Sequence, residues 1–128
     1  MRPNLLVNRY AKAFLELAIQ NNLVDKALDD LLIVKSTIEG NKELDSLIHQ
    51  PFVSKERKTN IMNRLFTDRV EKITLNLINL LIEKNRDTAI TDMYDEYRML
   101  YLEYKKIAVV TITSAIEIDE KTTDRIVN

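Results

Sequence analysis

The chain has 128 residues, 45% of them hydrophobic, which is enough for one core of ordinary size. One glycine and two prolines are too few for a protein built from hairpins and tight β turns, or for a glycine-rich phosphate loop. The 19 basic and 20 acidic residues leave a net charge of -1, so the chain lacks the basic excess of a dedicated nucleic-acid binder. Because it has no cysteine, disulfides and thiolate metal sites are excluded. We therefore expect a mainly helical protein that is exposed to the cytosol.

Two helices are predicted at the start of the chain. Apolar residues recur at helical spacing over residues 5–19, and Asn21 and Asn22 close that segment. A second periodic run covers residues 23–39 and stops at Gly40, the only glycine. We expect Gly40 to end this helix in the left-handed conformation that glycine adopts easily.

Polar caps mark the next two helices. Asn41 is placed to cap a short helix over residues 42–49, which Pro51 ends because the residue before a proline is pushed out of the helical region. Ser54 is placed to cap a fourth helix over residues 55–66. Its apolar positions share one side and its basic positions lie around the other, as in an ordinary amphipathic helix.

The fifth predicted helix, over residues 70–84, is apolar nearly all round. Its polar edge is thin and consists of Thr74, Asn76 and Asn79. Such a helix is either central in a bundle or covered on a second face by another chain. The first helix contributes the small residues Ala11, Ala13 and Ala18. The two helices either form a groove for an amphipathic helix from another protein or both lie in the middle of the bundle, and the pattern leaves both interpretations open.

The pattern changes in the last part of the chain. Helical spacing continues over residues 89–104, after Asn85 as a left-handed cap, and includes a stripe of tyrosines that we expect at the edge of the core. Residues 107–113 are rich in β-branched side chains and predict a strand, but no second strand follows. We expect an all-α, six-helix bundle over residues 1–105, followed over residues 106–128 by the first strand of a truncated, incomplete α/β domain.

Little in the sequence suggests catalysis. His49 is the only histidine, and the paired acids Asp29-Asp30 and Asp92/Glu96 lie on what the periodicity predicts to be solvent-exposed helix faces. We expect neither an enzyme nor a bound cofactor or metal. No run of residues is apolar enough to span a membrane, and the first residues lack the pattern of a cleaved leader.

A basic run offers the best argument for a nucleic-acid partner. It consists of Lys55, Arg57, Lys58, Arg64, Arg69 and Lys72. Interspersed acidic residues dilute this run, so a solvated helix face is the simpler interpretation. A small helical nucleic-acid-binding adaptor is the alternative function.

The sequence resembles one known family at several places in order. Residues 9–18, RYAKAFLELA, are similar to the opening RYAKALFELA of the delta subunit of F-type ATP synthase, whose mitochondrial counterpart is the oligomycin-sensitivity-conferring protein. The similarity continues through NKEL at 41–44, PFVS at 51–54, residues 58–66, NLINLLIE at 76–83 with Asn85-Arg86, and VVTITSA at 109–115. The order and spacing of these segments carry the resemblance, which covers nearly the whole chain.

The resemblance implies a helical N-terminal domain, a smaller α/β C-terminal domain and a non-catalytic role as a stator part. Such a protein is peripheral to the cytoplasmic face of the bacterial inner membrane. Its helices one and five take up the N-terminal helix of an alpha subunit, and its C-terminal domain holds the b-subunit stalk, so that proton-driven rotation is coupled to ATP synthesis. The implied alpha-binding face consists of Tyr10, Ala13, Phe14, Leu17, Asn76, Leu77, Leu80, Leu81 and Lys84.

Overall fold

The computed structural model describes residues 5–107, which form six α-helices and one 3₁₀ turn. In chain order these are α1 (Leu5–Gln20), α2 (Val24–Glu39), α3 (Lys42–Ile48), α4 (Lys55–Phe66), α5 (Lys72–Glu83), the 3₁₀ turn Asp87–Ala89, and α6 over residues 93–107. The predicted helical bundle is confirmed. The predicted strand and second domain lie outside the described residues, except for Lys106 and Ile107, which belong to α6.

Local capping explains where α3 and α4 begin. The Asn41 side chain accepts a hydrogen bond from the backbone N–H of Leu44, at 3.1 Å. The Ser54 hydroxyl oxygen accepts one from the backbone N–H of Arg57, also at 3.1 Å. Both predicted caps are confirmed, and each satisfies a backbone donor that the first turn of a helix leaves free.

Asparagine, rather than glycine, occupies the left-handed positions that follow helices. Asn22 and Asn85 have φ angles of 57° and 59°, and each lies two positions after the last residue of its helix, α1 or α5. After α5 the backbone N–H groups of Asn85 and Arg86 donate to the carbonyls of Ile82 and Leu81, which is the Schellman pattern. The left-handed cap predicted at Asn85 is confirmed.

The prediction for Gly40 is wrong in its conformation. Gly40 does follow α2, but its φ of -81° and ψ of -4° are right-handed. A Cβ atom at this position would lie 2.9 Å from the carbonyl oxygen of Ser36. Glycine therefore fits this position because the backbone approaches too closely for a Cβ atom, and not because the residue is left-handed.

The core is assembled from one stripe of each helix. α1 packs on α2 and α5, and α5 also packs on α2 and α4. From α6, Tyr97 is completely buried; its ring centroid lies 5.5 Å from that of Phe14, and its hydroxyl donates to the Val24 carbonyl at 2.8 Å. Burial raises the pKa of this phenol. The tyrosine stripe therefore packs against the bundle, as the spacing predicts.

Asp30 is buried, so its predicted solvent exposure is wrong. One carboxylate oxygen accepts from Lys26 at 2.6 Å, which raises the pKa of Lys26. The other oxygen accepts from the Glu71 backbone N–H and the Thr74 hydroxyl, each at 2.8 Å. Thr74, predicted on the polar edge of α5, is also completely buried. A carboxylate on α2 thus caps α5, whose own N-cap residue makes no side-chain cap.

Lys58 is the second buried charge that the periodicity placed in solvent. Its ammonium group pairs with Asp87, at the 3₁₀ turn, and donates to the Ile48 carbonyl at 3.3 Å. Only 5% of Lys58 is exposed. The ion pair therefore joins α4 to the connection between α5 and α6, and this lysine is not available to an external phosphate.

The C-terminal half of α6 is attached to the first turn of α2. The Tyr101 hydroxyl donates to the Asp25 carboxylate at 2.5 Å, and Lys105 lies 3.2 Å from the same carboxylate. Both contacts lower the pKa of Asp25, and the hydrogen bond from Tyr101 has the larger effect. Together with Tyr97, they place three side chains of α6, spaced one turn apart, on the beginning of α2.

We expect Asp30→Asn to lower the free energy of unfolding by about 1–3 kcal/mol, since a neutral amide cannot pair with Lys26 and satisfy both donors of α5. Urea denaturation measures this change. Asp29→Asn is the matched control, because Asp29 is exposed, and it should change stability by less than about 0.5 kcal/mol. Equal effects of the two substitutions would contradict the capping role of Asp30.

We expect Asn85→Ala to destabilise the protein by about 1 kcal/mol and Asn85→Gly to leave stability equal or higher, because only the alanine is strained at a positive φ. Thermal or urea unfolding of both variants measures the difference. Identical stabilities would contradict the left-handed cap at the end of α5.

Candidate partner-binding site

Two adjacent stripes divide the surface of α1. Val7, Ala11, Phe14 and Ala18 are buried in the core. Tyr10, Ala13 and Leu17 recur at the same helical spacing along the flank of that stripe, and Leu17 is 40% exposed. The alanines buried at 11 and 18 occupy little space at the core side of α1. Ala13 differs from them because it is exposed on the flank.

The same division explains why α5 is apolar nearly all round. Its core stripe consists of Thr74, Leu77, Ile78, Leu81 and Ile82. A second stripe of Ile73, Asn76 and Leu80 lies beside it, with Leu80 42% exposed and Asn76 also exposed. Each of the two interpretations of this helix describes one of its faces. One face lies in the core, and the neighbouring face is not covered by any other part of residues 5–107.

The outer stripes of α1 and α5 form one shallow groove, here named the α1–α5 groove, with a volume of about 170 Å³. It is lined by Tyr10, Ala13, Phe14, Leu17, Ile73, Asn76, Leu77 and Leu80. Six of these eight side chains are wholly aliphatic or aromatic, and Asn76 and the Tyr10 phenol are the polar members. Such a surface suits the apolar face of an amphipathic helix.

The structure brings together seven of the nine predicted site residues in this groove. The two others lie apart from its lining. Leu81 is completely buried in the core, and Lys84 is the exposed C-cap of α5. Phe14 and Leu77 belong both to the groove and to the core, so the floor of the groove is continuous with the packed interior.

Ile73 also lines the groove, although it was not predicted as a site residue. It is half-buried and precedes Asn76 by three positions and Leu80 by seven. Helical spacing from these two residues would have identified it, since all three positions share one face of α5.

His49, the only histidine, does not line this groove. His49 caps the end of α3, where its ring nitrogen Nδ1 lies 2.8 Å from the Asp45 carbonyl oxygen and 3.4 Å from its carboxylate. Among residues 5–107, no group of three His, Cys, Asp or Glu side chains is arranged to hold a metal ion. Within the same range, no helix combines the length and the apolar character needed to cross a membrane.

Solved structures share this fold. Two cryo-EM structures of Polytomella F-ATP synthase, in rotary substates 2C and 2A, contain a chain that matches with TM-scores of 0.72 and 0.71 at 24% identity. The match covers 82% of this chain and 91% of the Polytomella chain. At this identity the similarity establishes the helical architecture.

Sequence comparison identifies the family. The ATP synthase subunit delta of Desulforamulus reducens is 35% identical over 121 residues, which are 94% of this chain and 67% of that protein. The sodium ion specific ATP synthase subunit delta of Ilyobacter tartaricus is 38% identical over 113 residues, 88% of this chain and 64% of that protein. The chain thus spans about two thirds of the length of these relatives. Since the family described as ATP synthase delta (OSCP) subunit matches residues 6–128, the chain belongs to that family.

Proposed function

We propose that this chain is a non-catalytic stator subunit of a bacterial F-type ATP synthase, and that its α1–α5 groove binds the N-terminal helix of an alpha subunit. The single observation that carries the proposal is the groove itself, where the exposed stripes of α1 and α5 meet. Family membership supports the assignment to the synthase. The groove supports a helix as the ligand, because its lining is apolar and follows two helices.

The proposed role is mechanical. The subunit sits on the catalytic head at the cytoplasmic face of the inner membrane, peripheral to the membrane. Its groove holds the head through the alpha subunit, and the part of the protein that follows the helical bundle holds the b-subunit stalk. The head is then prevented from turning with the rotor, so that proton-driven rotation changes the nucleotide sites and makes ATP.

The groove can supply the affinity that such a joint requires. Each Leu or Phe that a partner helix buries contributes about 1.5–3 kcal/mol. A nanomolar dissociation constant corresponds to about -12 kcal/mol. Several apolar anchors would therefore reach this range after the cost of ordering the partner is subtracted. Leu17 and Leu80, both partly exposed in the free chain, would gain most from being covered.

The direct test is calorimetric titration of the chain with a peptide of the first residues of the alpha subunit, about 20 residues or six helical turns long. We expect one-to-one binding with a negative heat-capacity change, because apolar surface is buried. A folded chain that shows no binding to this peptide would contradict the proposed function.

Ala13→Asp should weaken binding of this peptide more than about a hundredfold, equivalent to about 2.8 kcal/mol, because a charge without a partner would be buried in the interface. Ala13 is exposed in the free chain, so the fold should persist, which circular dichroism checks. Ser36→Asp, at an exposed position on α2, is the matched control and should bind normally. Undiminished binding by Ala13→Asp would place the ligand elsewhere.

Two neighbouring leucines separate binding from folding. Leu80→Ala should weaken the peptide complex about tenfold or more with a small loss of stability, since Leu80 lines the groove. Leu81→Ala should instead lower the free energy of unfolding by about 2–5 kcal/mol, because Leu81 is fully buried. Calorimetry and urea denaturation of both variants measure the two effects. The reverse assignment of effects would make the Leu80 stripe part of the core.

A further inference from the structure

A second apolar groove lies between α3 and α4 and shares no residue with the α1–α5 groove. This α3–α4 groove has a volume of about 490 Å³. Its apolar floor consists of Leu44, Leu47, Ile61 and Leu65. Leu44 is buried, and the other three are half-buried, so the floor is accessible to a ligand without unfolding of either helix.

Two exposed arginines of α4 stand at the rim of the α3–α4 groove. Arg57 and Arg64 are seven positions apart, about 10.5 Å along the helix axis, with Ile61 between them. Within residues 5–107, neither guanidinium forms an ion pair, so both can donate hydrogen bonds to a carboxylate of another molecule. Glu43 is the one carboxylate in the lining of this groove.

The apolar floor continues into an adjoining depression of about 530 Å³ that ends at Phe52. Glu43, Leu47 and Arg57 line both depressions. Phe52 is 82% exposed, the highest value among the large hydrophobic side chains of the described residues. An aromatic ring in this position offers a ligand apolar area that the free protein leaves in water.

We propose that the α3–α4 groove binds an acidic amphipathic helix of a partner protein. Carboxylates two turns apart on such a helix match the spacing of Arg57 and Arg64, and a guanidinium can bind a carboxylate through two parallel hydrogen bonds. Apolar residues between those carboxylates cover Leu47, Ile61 and Phe52. The partner thus differs from the ligand of the α1–α5 groove, which has no charged residue in its lining.

The composition of the groove favours a helix over a nucleic acid. A single strand is bound by cations along its backbone and by several aromatic rings that stack on its bases. The α3–α4 groove and its adjoining depression have an aliphatic floor and one aromatic ring, that of Phe52. The nearby Lys58 is already paired with Asp87 inside the protein.

The test uses the 128-residue chain and a fluorescent, designed helical peptide that carries two glutamates seven positions apart with leucines between them. We expect saturable binding in fluorescence anisotropy. The double variant Arg57→Glu/Arg64→Glu should lose about tenfold or more in affinity. A second peptide, with lysines in place of the glutamates, should bind the double variant better than the original chain. Arg98→Glu, at an exposed position on α6, is the matched control and should bind the acidic peptide normally.

Two further variants test whether the acidic peptide binds in the α3–α4 groove itself. Phe52→Ser should weaken binding of the acidic peptide, which attraction between charges alone would not predict. Because Phe52 is exposed, the variant should still fold. Ala13→Asp should bind the acidic peptide normally, so failure of the proposed function at the α1–α5 groove is distinguishable from failure here. The proposal would be overturned if the original chain did not bind the acidic peptide. It would also be overturned if Arg98→Glu lost as much affinity for this peptide as the double variant, or if Ala13→Asp lost affinity for it. Tighter, salt-dependent binding of an oligothymidine through Arg57 and Arg64 would overturn it in favour of a nucleic acid.

Discussion

The carboxylate of Asp30 fixes how α5 sits in the bundle. Its two oxygens hold Lys26 on one side and the first turn of α5 on the other, and the group has no contact with water. A rotation of α5 about its axis would leave the Glu71 N–H or the Thr74 hydroxyl buried without an acceptor, which is costly. A side chain on α2 therefore determines which face of α5 remains at the surface. The α1–α5 groove depends on this orientation of α5.

The α1–α5 groove and the core are built from the same two helices and share residues. Phe14 contacts the ring of Tyr97 on its inner side while it lines the groove. Leu77 is also both a core residue and part of the groove lining. A close-packed interior resists deformation, so the groove floor is held in place before any partner arrives. The α3–α4 groove is different, since charged side chains and the exposed Phe52 surround its apolar floor.

Features that depend on neighbouring residues could be predicted from the sequence. The caps at Asn41 and Ser54 and the left-handed Asn85 act within one helical turn, and the outer stripes of α1 and α5 follow from spacing and family resemblance. Asp30 and Lys58 could not be recognised as buried because their partners are distant: Asp30 meets Glu71 and Thr74, 41 and 44 residues away, and Lys58 meets Asp87, 29 residues away. The conformation of Gly40 could not be predicted because a glycine after a helix usually indicates a left-handed residue, whereas here the crowding comes from the carbonyl of Ser36.

The attachment of α6 to α2 determines how the bundle would respond to tension. Tyr97, Tyr101 and Lys105 meet the first two residues of α2, Val24 and Asp25, from successive turns of α6. A pull applied at Ile107 would reach these contacts through α6, because all three side chains belong to that helix. The buried hydroxyl of Tyr97 would be the last to yield, because it is shielded from water that could replace its bond to Val24. Force applied at the end of α6 would therefore pass to the beginning of α2 through side chains of three successive turns.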